Sequence, residues 1–176
     1  MKTITTALLG GLVFIVILAA SALVYARVTG LSARPTPGAV ETRGARSFRR
    51  LAVPADLRAR TNPESKTGEV LDRARAHFAK QCAICHANDG SGDTDIGRGL
   101  YPKAPDMRAA TTQELSDGEL FYIIEFGVRF TGMPAWGDGS APGEKIGWQL
   151  VHFIRHLPSL TPDEIAEMEQ LNPKSP

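Results

Sequence analysis

Cys82-Ala83-Ile84-Cys85-His86 is the part of this 176-residue chain whose residue types and spacing most directly imply chemistry. Two thiols at that spacing can form thioether bonds to the two vinyl-derived carbons of one haem, and the adjoining histidine then lies under the iron, the C-x-x-C-H pattern of covalent attachment. Other uses of C-x-x-C need more than the chain offers. A thioredoxin-like redox pair belongs in a βαβ context and a zinc site needs two further ligands, yet no strand pattern surrounds the motif and these are the only two cysteines. The expected cofactor is one covalent haem c on Cys82 and Cys85, with His86 as an axial iron ligand.

A six-coordinate electron-transfer haem needs a second axial ligand, and a thioether sulfur is the choice that raises the potential. Met1 is excluded by position, leaving Met107, Met133 and Met168. Met133 stands in Thr131-Gly132-Met133-Pro134-Ala135-Trp136, a Gly/Pro segment able to pass over a ring, and is the expected ligand. The competing reading is that it packs against the ring as a soft apolar side chain. Met107 reads as a wall residue, and Met168, between Glu167 and Glu169, as a packing residue. His77, His152 and His156 are read as structural or surface residues; the last two, four apart, fit a solvated helix face better than a metal pair.

The elements that must position these groups are helical. Val70, Leu71, Ala74 and Phe78 recur at three- and four-residue intervals, so residues 68–81 are predicted to form an amphipathic helix leading into the cysteines. Ser116-Asp117-Gly118-Glu119 has the form of a capping box opening a helix that runs to Phe126, where Gly127 can stop it. The apolar pattern returns over 144–157 through Ile146, Leu150, Phe153, Ile154 and Leu157, before Pro158. Thr161-Pro162-Asp163-Glu164 then opens a short last helix. Residues 88–108 and 129–143, rich in Gly, Pro and Asp, read as loops, and loops that long leave little core unless a haem fills it. The expected fold class is all-α.

Charge is divided along the chain. Residues 1–60 carry nine Lys/Arg against two acids (9 − 2 = +7), and the remainder 11 against 17 (11 − 17 = −6). An acidic domain on a basic stem bears on partners and on the membrane surface, and no interleaving of lysines and aromatics points to nucleic acid. Residues 7–25 contain no charge, and at 1.5 Å per residue would make about 28 Å of helix, close to the thickness of a bilayer core. A cleaved signal peptide is the rival reading, since Ala20-Ser21-Ala22 and Val24-Tyr25-Ala26 resemble cleavage sites. The expected organisation is an anchor or signal over 1–26, a basic Pro/Arg-rich stem over 27–66, a single-haem domain over 67–160 and a short helix with tail over 161–176. Arginines after the span favour the cytoplasmic side, whereas covalent haem attachment in bacteria occurs outside the inner membrane; the haem motif takes precedence. Val40, Phe48 and Leu51 among Arg43, Arg46, Arg49 and Arg50 suit either a short helix on anionic lipid or a solvated linker.

Taken in order, a helix, C-x-x-C-H, a Gly-rich loop, a capped middle helix, Gly-Met-Pro-Ala-Trp and an aromatic late helix resemble class I cytochrome c over roughly residues 68–158. Cys82, Cys85, His86, Gly90, Gly92, Pro102, Met133, Pro134 and Trp136 carry the resemblance, with Trp148 and Phe153 on the late helix. It implies that the first and last helices cross, bringing Ala74 and Phe78 near Phe153, and that a proline after the motif, Pro102 or Pro105, supports the axial histidine. Arg98, Tyr101, Lys103 and Arg129 are the candidate propionate partners. The likeness extends to single-haem, membrane-tethered cytochromes that feed terminal oxidases or respiratory complexes or accept electrons from periplasmic dehydrogenases, and departs from two-haem subunits in having one motif.

The expected role is a one-electron carrier rather than an enzyme, with its haem domain in the periplasm and the chain held at the inner membrane, or soluble there if the leader is removed. If the Met133 position were open, the iron could instead act as a small-molecule reductase or peroxidase, or as a gas or redox sensor.

Overall fold

The structure, a computed structural model, describes residues 2–172, the side chains of residues 2, 3 and 5 excepted. The chain divides into two units, residues up to 33 and residues from 34 onward. The first is one helix, α1 (Lys2–Thr29). Within it Thr6–Thr29 contains an 18-residue stretch of mean hydropathy 2.7 and is long and apolar enough to cross a membrane. Its 24 residues would extend about 36 Å, beyond the roughly 30 Å of a hydrocarbon core.

The second unit holds α2 (Ala39–Ala52), α3 (Ala55–Arg58), α4 (Gly68–Gln81), α5 (Ala83–His86), α6 (Asp95–Gly99), α7 (Ala110–Gln113), α8 (Asp117–Phe126), α9 (Ala141–His156), a 3-10 turn at Leu157–Ser159 and α10 (Pro162–Leu171). Among the described residues there is no strand, so the all-α class holds.

α4 covers the predicted 68–81. The Thr67 hydroxyl accepts from the Val70 amide at its start, and it buries Val70, Ala74, Phe78 and Ala79. This face lies across α9, where the Phe78 and Phe153 rings meet at 5.1 Å, as the resemblance implied. α8 opens on the predicted capping box between Ser116 and Glu119 and stops at Gly127. Gly127 has φ 67°, a conformation open to glycine at little cost. α9 begins three residues before the expected 144: the Ser140 hydroxyl accepts from the Gly143 amide, and Pro142 falls in the first turn, where its missing N–H costs nothing. The second predicted capping box, Thr161 with Glu164, opens α10.

Fully enclosed side chains, Trp148, Phe78, Phe153, Met168 and Val151, mark the core between α4, α8, α9 and α10. The Phe121 ring stacks on Trp148 at 4.1 Å, and the Arg60 guanidinium caps both rings at 5.2 and 5.0 Å. Arg60 also pairs with Glu144. Residues 53–66 lead into this core by backbone contacts. The Arg58 carbonyl accepts from the Ser116 hydroxyl, Asn62 donates to the Trp148 carbonyl, and the Glu64 carbonyl meets the His152 ring. Gly118 permits the closest of these approaches: a Cβ there would lie 2.0 Å from the Leu57 carbonyl oxygen.

Candidate haem-binding site

α4 delivers the motif. Cys82 closes that helix, its amide donating to the Phe78 carbonyl at 2.8 Å, and the chain turns at once into α5, with the Cys85 and His86 amides both reaching the Cys82 carbonyl. Cys82, Cys85 and His86 are thereby held in one tight turn. Ala87, with φ 58°, ends it, and the Gly92 amide then donates back to the His86 carbonyl at 2.9 Å. Ala83 is buried in the core beneath the motif, whereas Ile84 points outward.

The next layer is α6. Thr94 caps it and donates to the Cys85 carbonyl, and a Cβ on Gly97 would fall 2.3 Å from that same oxygen. Any side chain at 97 would push the cysteine turn aside. The segment after α6 packs in turn on the methionine loop, because a Cβ on Gly132 would meet Leu100 Cδ2 at 2.5 Å. The 102–105 stretch lies beside the histidine turn as well: a Cβ on Gly92 would come within 2.5 Å of the Ala104 carbonyl oxygen.

Met133 is half-buried in a loop pinned to the end of α8. Its amide donates to the Thr131 hydroxyl and its carbonyl accepts from the Val128 amide. The Trp136 and Gly137 amides donate to the Ile124 and Glu125 carbonyls, so the loop supplies partners for the last carbonyls of α8. At Gly127 a Cβ would stand 2.6 Å from the Ala135 nitrogen, which ties the helix stop and the loop into one unit. Met107 and Met168 are 6% and 0% exposed within the core cluster, in keeping with packing roles.

Electrostatics separate this cysteine pair from a redox-active one. Burial, with the neighbouring Cys85 second, pushes the Cys82 thiol up to about 12, and burial raises Cys85 too. Catalytic thiols need the opposite, a stabilised thiolate. Among the described residues no three His, Cys, Asp or Glu side chains gather as metal donors, so a zinc centre has no further ligands. Burial also lowers the His86 pKa, keeping the imidazole neutral and its lone pair available, and His86 Nδ1 is buried with no protein partner. A buried polar atom of this kind calls for a partner. Two adjacent thiols, a neutral histidine incompletely satisfied by the protein and a glycine-lined surround fit a covalently attached haem.

Two of the other histidines are occupied elsewhere. His152 Nε2 meets the Glu64 carbonyl, and His156 bonds Glu164 through Nε2 and Ser159 through Nδ1. Among the candidate propionate partners, Arg98 pairs with Asp93 and Asp95 on an exposed surface, and the Tyr101 hydroxyl donates to Glu41 at 2.6 Å. Lys103 and Arg129 are exposed. The sequence reading missed the glycines at 97 and 132, whose close contacts knit the cysteine turn to the methionine loop; their Gly-rich setting was the available signal.

No curated protein matches the chain. Residues 69–154 match the family described as Cytochrome C oxidase, cbb3-type, subunit III, a stretch that runs from the first turn of α4 through most of α9 and includes Cys82, Cys85, His86 and Met133. With the crossed helices and the cysteine-histidine turn inside that span, residues 69–154 are a class I c-type cytochrome domain, one that binds covalent haem c and serves haem-based electron transfer.

Proposed function

We propose that this chain is a membrane-tethered electron carrier in which Cys82 and Cys85 hold the haem covalently, His86 and Met133 are its axial ligands, and the domain works on the periplasmic side of a bacterial inner membrane. The observation that carries the reading is the pair of supports for the two ligands: the cysteine-histidine turn is wedged against Gly97, and the Met133 loop is fastened by backbone and hydroxyl hydrogen bonds to α8 and its own turn. The haem supplies one-electron redox chemistry through its iron. The protein's part is to keep both ligands in place, so that little rearranges when an electron passes. Of the methionines after the motif, Met133 alone lies outside the core cluster among the described residues.

Partners would be redox proteins of a respiratory chain, a periplasmic dehydrogenase as donor and a respiratory complex or terminal oxidase as acceptor. The net −6 of residues 61–176 favours a partner with a basic docking patch and an association rate that falls with salt. α1 provides the tether.

The test is spectroscopy of the full chain matured with haem. The wild type should be low-spin in both oxidation states, with a weak ferric–sulfur charge-transfer band that Met133→Ala abolishes while haem remains on the denatured chain. A band that survives in Met133→Ala, or a high-spin ferric wild type that takes up carbon monoxide or reacts readily with peroxide, would sink the His86/Met133 assignment and turn attention to the reductase and sensor readings.

A further inference from the structure

α2 is amphipathic in an unusual sense: its apolar side faces away from the protein. Val40, Gly44, Phe48 and Leu51 follow one another at four, four and three residues, a single stripe on a 3.6-residue helix. Val40, Phe48 and Leu51 are 85%, 74% and 81% exposed, and no residue of α2 is buried.

The opposite side of the helix is committed to the domain. Arg46, Arg49 and Arg50 line a shallow concavity with Thr111, Glu114 and Leu115, and Arg50 approaches the capping carboxylate of Glu119 at 3.9 Å. Val53, directly after the helix, is 3% exposed, and at the stripe's edge beside Phe48, Glu41 accepts from Tyr101. With these contacts in place the stripe is turned outward and has no cover from the protein. Three large apolar side chains in line, left in water, are a poor arrangement unless another surface takes them.

Two features identify that surface. First, nine residues separate α1 from α2, and residues 30–38 can extend no more than about 32 Å. A chain anchored through α1 therefore keeps α2 within reach of the bilayer surface. Second, the helix carries Arg43, Arg46, Arg49 and Arg50 against a single acid, Glu41, and the exposed Arg43, which is not among the arginines lining the concavity, flanks the stripe on one side. Apolar residues flanked by arginine are the chemistry of a helix lying in the plane of an anionic lipid surface, with aliphatic and aromatic groups among the acyl chains and guanidinium groups at the phosphates.

We propose that α2 is an interfacial helix that seats Val40, Phe48 and Leu51 in the anionic bilayer crossed by α1. Because α2 meets the domain through Val53, Arg50 and Glu41, seating it would favour one side of the haem domain facing the membrane and leave the other to redox partners. The tether then becomes an orienting mount. This inference is independent of which residues ligate the iron.

The experiment uses the full haem-loaded chain in vesicles containing phosphatidylglycerol and a lipid with a photoactivatable diazirine on its acyl chain. After illumination the modified residues are mapped by mass spectrometry, with α1 as the bilayer-embedded reference and α9 as the protein-enclosed one. Adducts on Val40, Phe48 or Leu51 are expected. They should fall when phosphatidylcholine replaces the anionic lipid or when salt is raised, and disappear in the Phe48→Asp, Leu51→Asp double variant while the visible spectrum and the α1 adducts persist. Since both positions are exposed, this variant should still fold. Vesicles in which α2 carries no adducts, whatever the labelling of α1, would overturn the proposal. So would chain-to-chain products through α2 in place of lipid adducts, which would assign the stripe to a second copy.

Discussion

α2 and α4 are both 14-residue helices with an apolar stripe and a basic complement, and they lie in opposite environments. α4 buries Val70, Ala74, Phe78 and Ala79 against α9 and turns Arg75 to α10; α2 exposes Val40, Phe48 and Leu51 and turns Arg46, Arg49 and Arg50 to the protein. Amphipathicity states that a helix has two faces, not which one meets the core. The difference lies in what else holds the helix. α4 continues into the cysteine turn and is held by large apolar contacts, whereas α2 is held by Val53, a loose ion pair and one hydrogen bond. The contrast also divides labour: the buried stripe builds the haem site, and the exposed one is available to bind something outside the protein.

The largest test of that contrast is truncation of an aromatic on each helix, beginning with α4. Phe78 is 2% exposed and meets the Phe153 ring one turn before Cys82. Phe78→Ala should lower stability by about 3–5 kcal/mol, the range for emptying a large core site, read as a drop in the guanidinium midpoint of the full chain in detergent. A loss below about 1 kcal/mol would mean that the crossing of α4 and α9 is not the main support of the haem site.

A second effect, of middle size, sharpens the account of α4's polar face. Arg75 reaches Glu164 at 2.9 Å and Glu167 at 2.7 Å, so α10 is clipped to α4 by charge as well as by Met168. Burial alone would raise the Glu164 pKa, but the Thr161 amide, the His156 ring and the Thr161 hydroxyl outweigh it and hold it at about 2. A carboxylate depressed in the folded state stabilises fully above its unfolded pKa, near 4.3, and that contribution fades as pH falls toward 2. Glu164→Gln should cost about 1 kcal/mol at pH 7, as loss of a cap does, and little near pH 2. Equal losses at both pH values would remove the ionised carboxylate from the account.

How much of this was legible in the sequence follows the range of the interactions. Local signals read correctly: the 3.6-residue stripe of α4, the two capping boxes and the Gly127 stop each lie within a few residues of one another. The start of α9 was hidden because Pro142 and Gly143 look like loop residues, although proline is well tolerated in a first turn. α5, α6 and α7, of four or five residues, are too short to show a period. Contacts between distant residues left no trace. Nothing in the Pro-rich composition of 53–66 shows that its carbonyls would meet Ser116 and His152, and nothing near Tyr101 names Glu41 as its partner. At the site the same rule applies: the cysteines and His86 are a local motif, while the packing of Gly97 and Gly132 that joins the two halves is a tertiary fact.

The smallest expected effect decides whether the comparison is sound. Phe48→Ala removes from α2 the same ring that Phe78→Ala removes from α4, but Phe48 is 74% exposed and packs into no core. Without lipid, its loss should change stability by no more than about 0.5 kcal/mol, the scatter of surface substitutions. A drop approaching that of Phe78→Ala in a lipid-free measurement would mean that the stripe has a protein partner and that the two helices are alike after all. If the change is negligible, the ring contributes nothing to the fold. Its place in line with Val40 and Leu51, flanked by Arg43, then reflects a demand made from outside the protein.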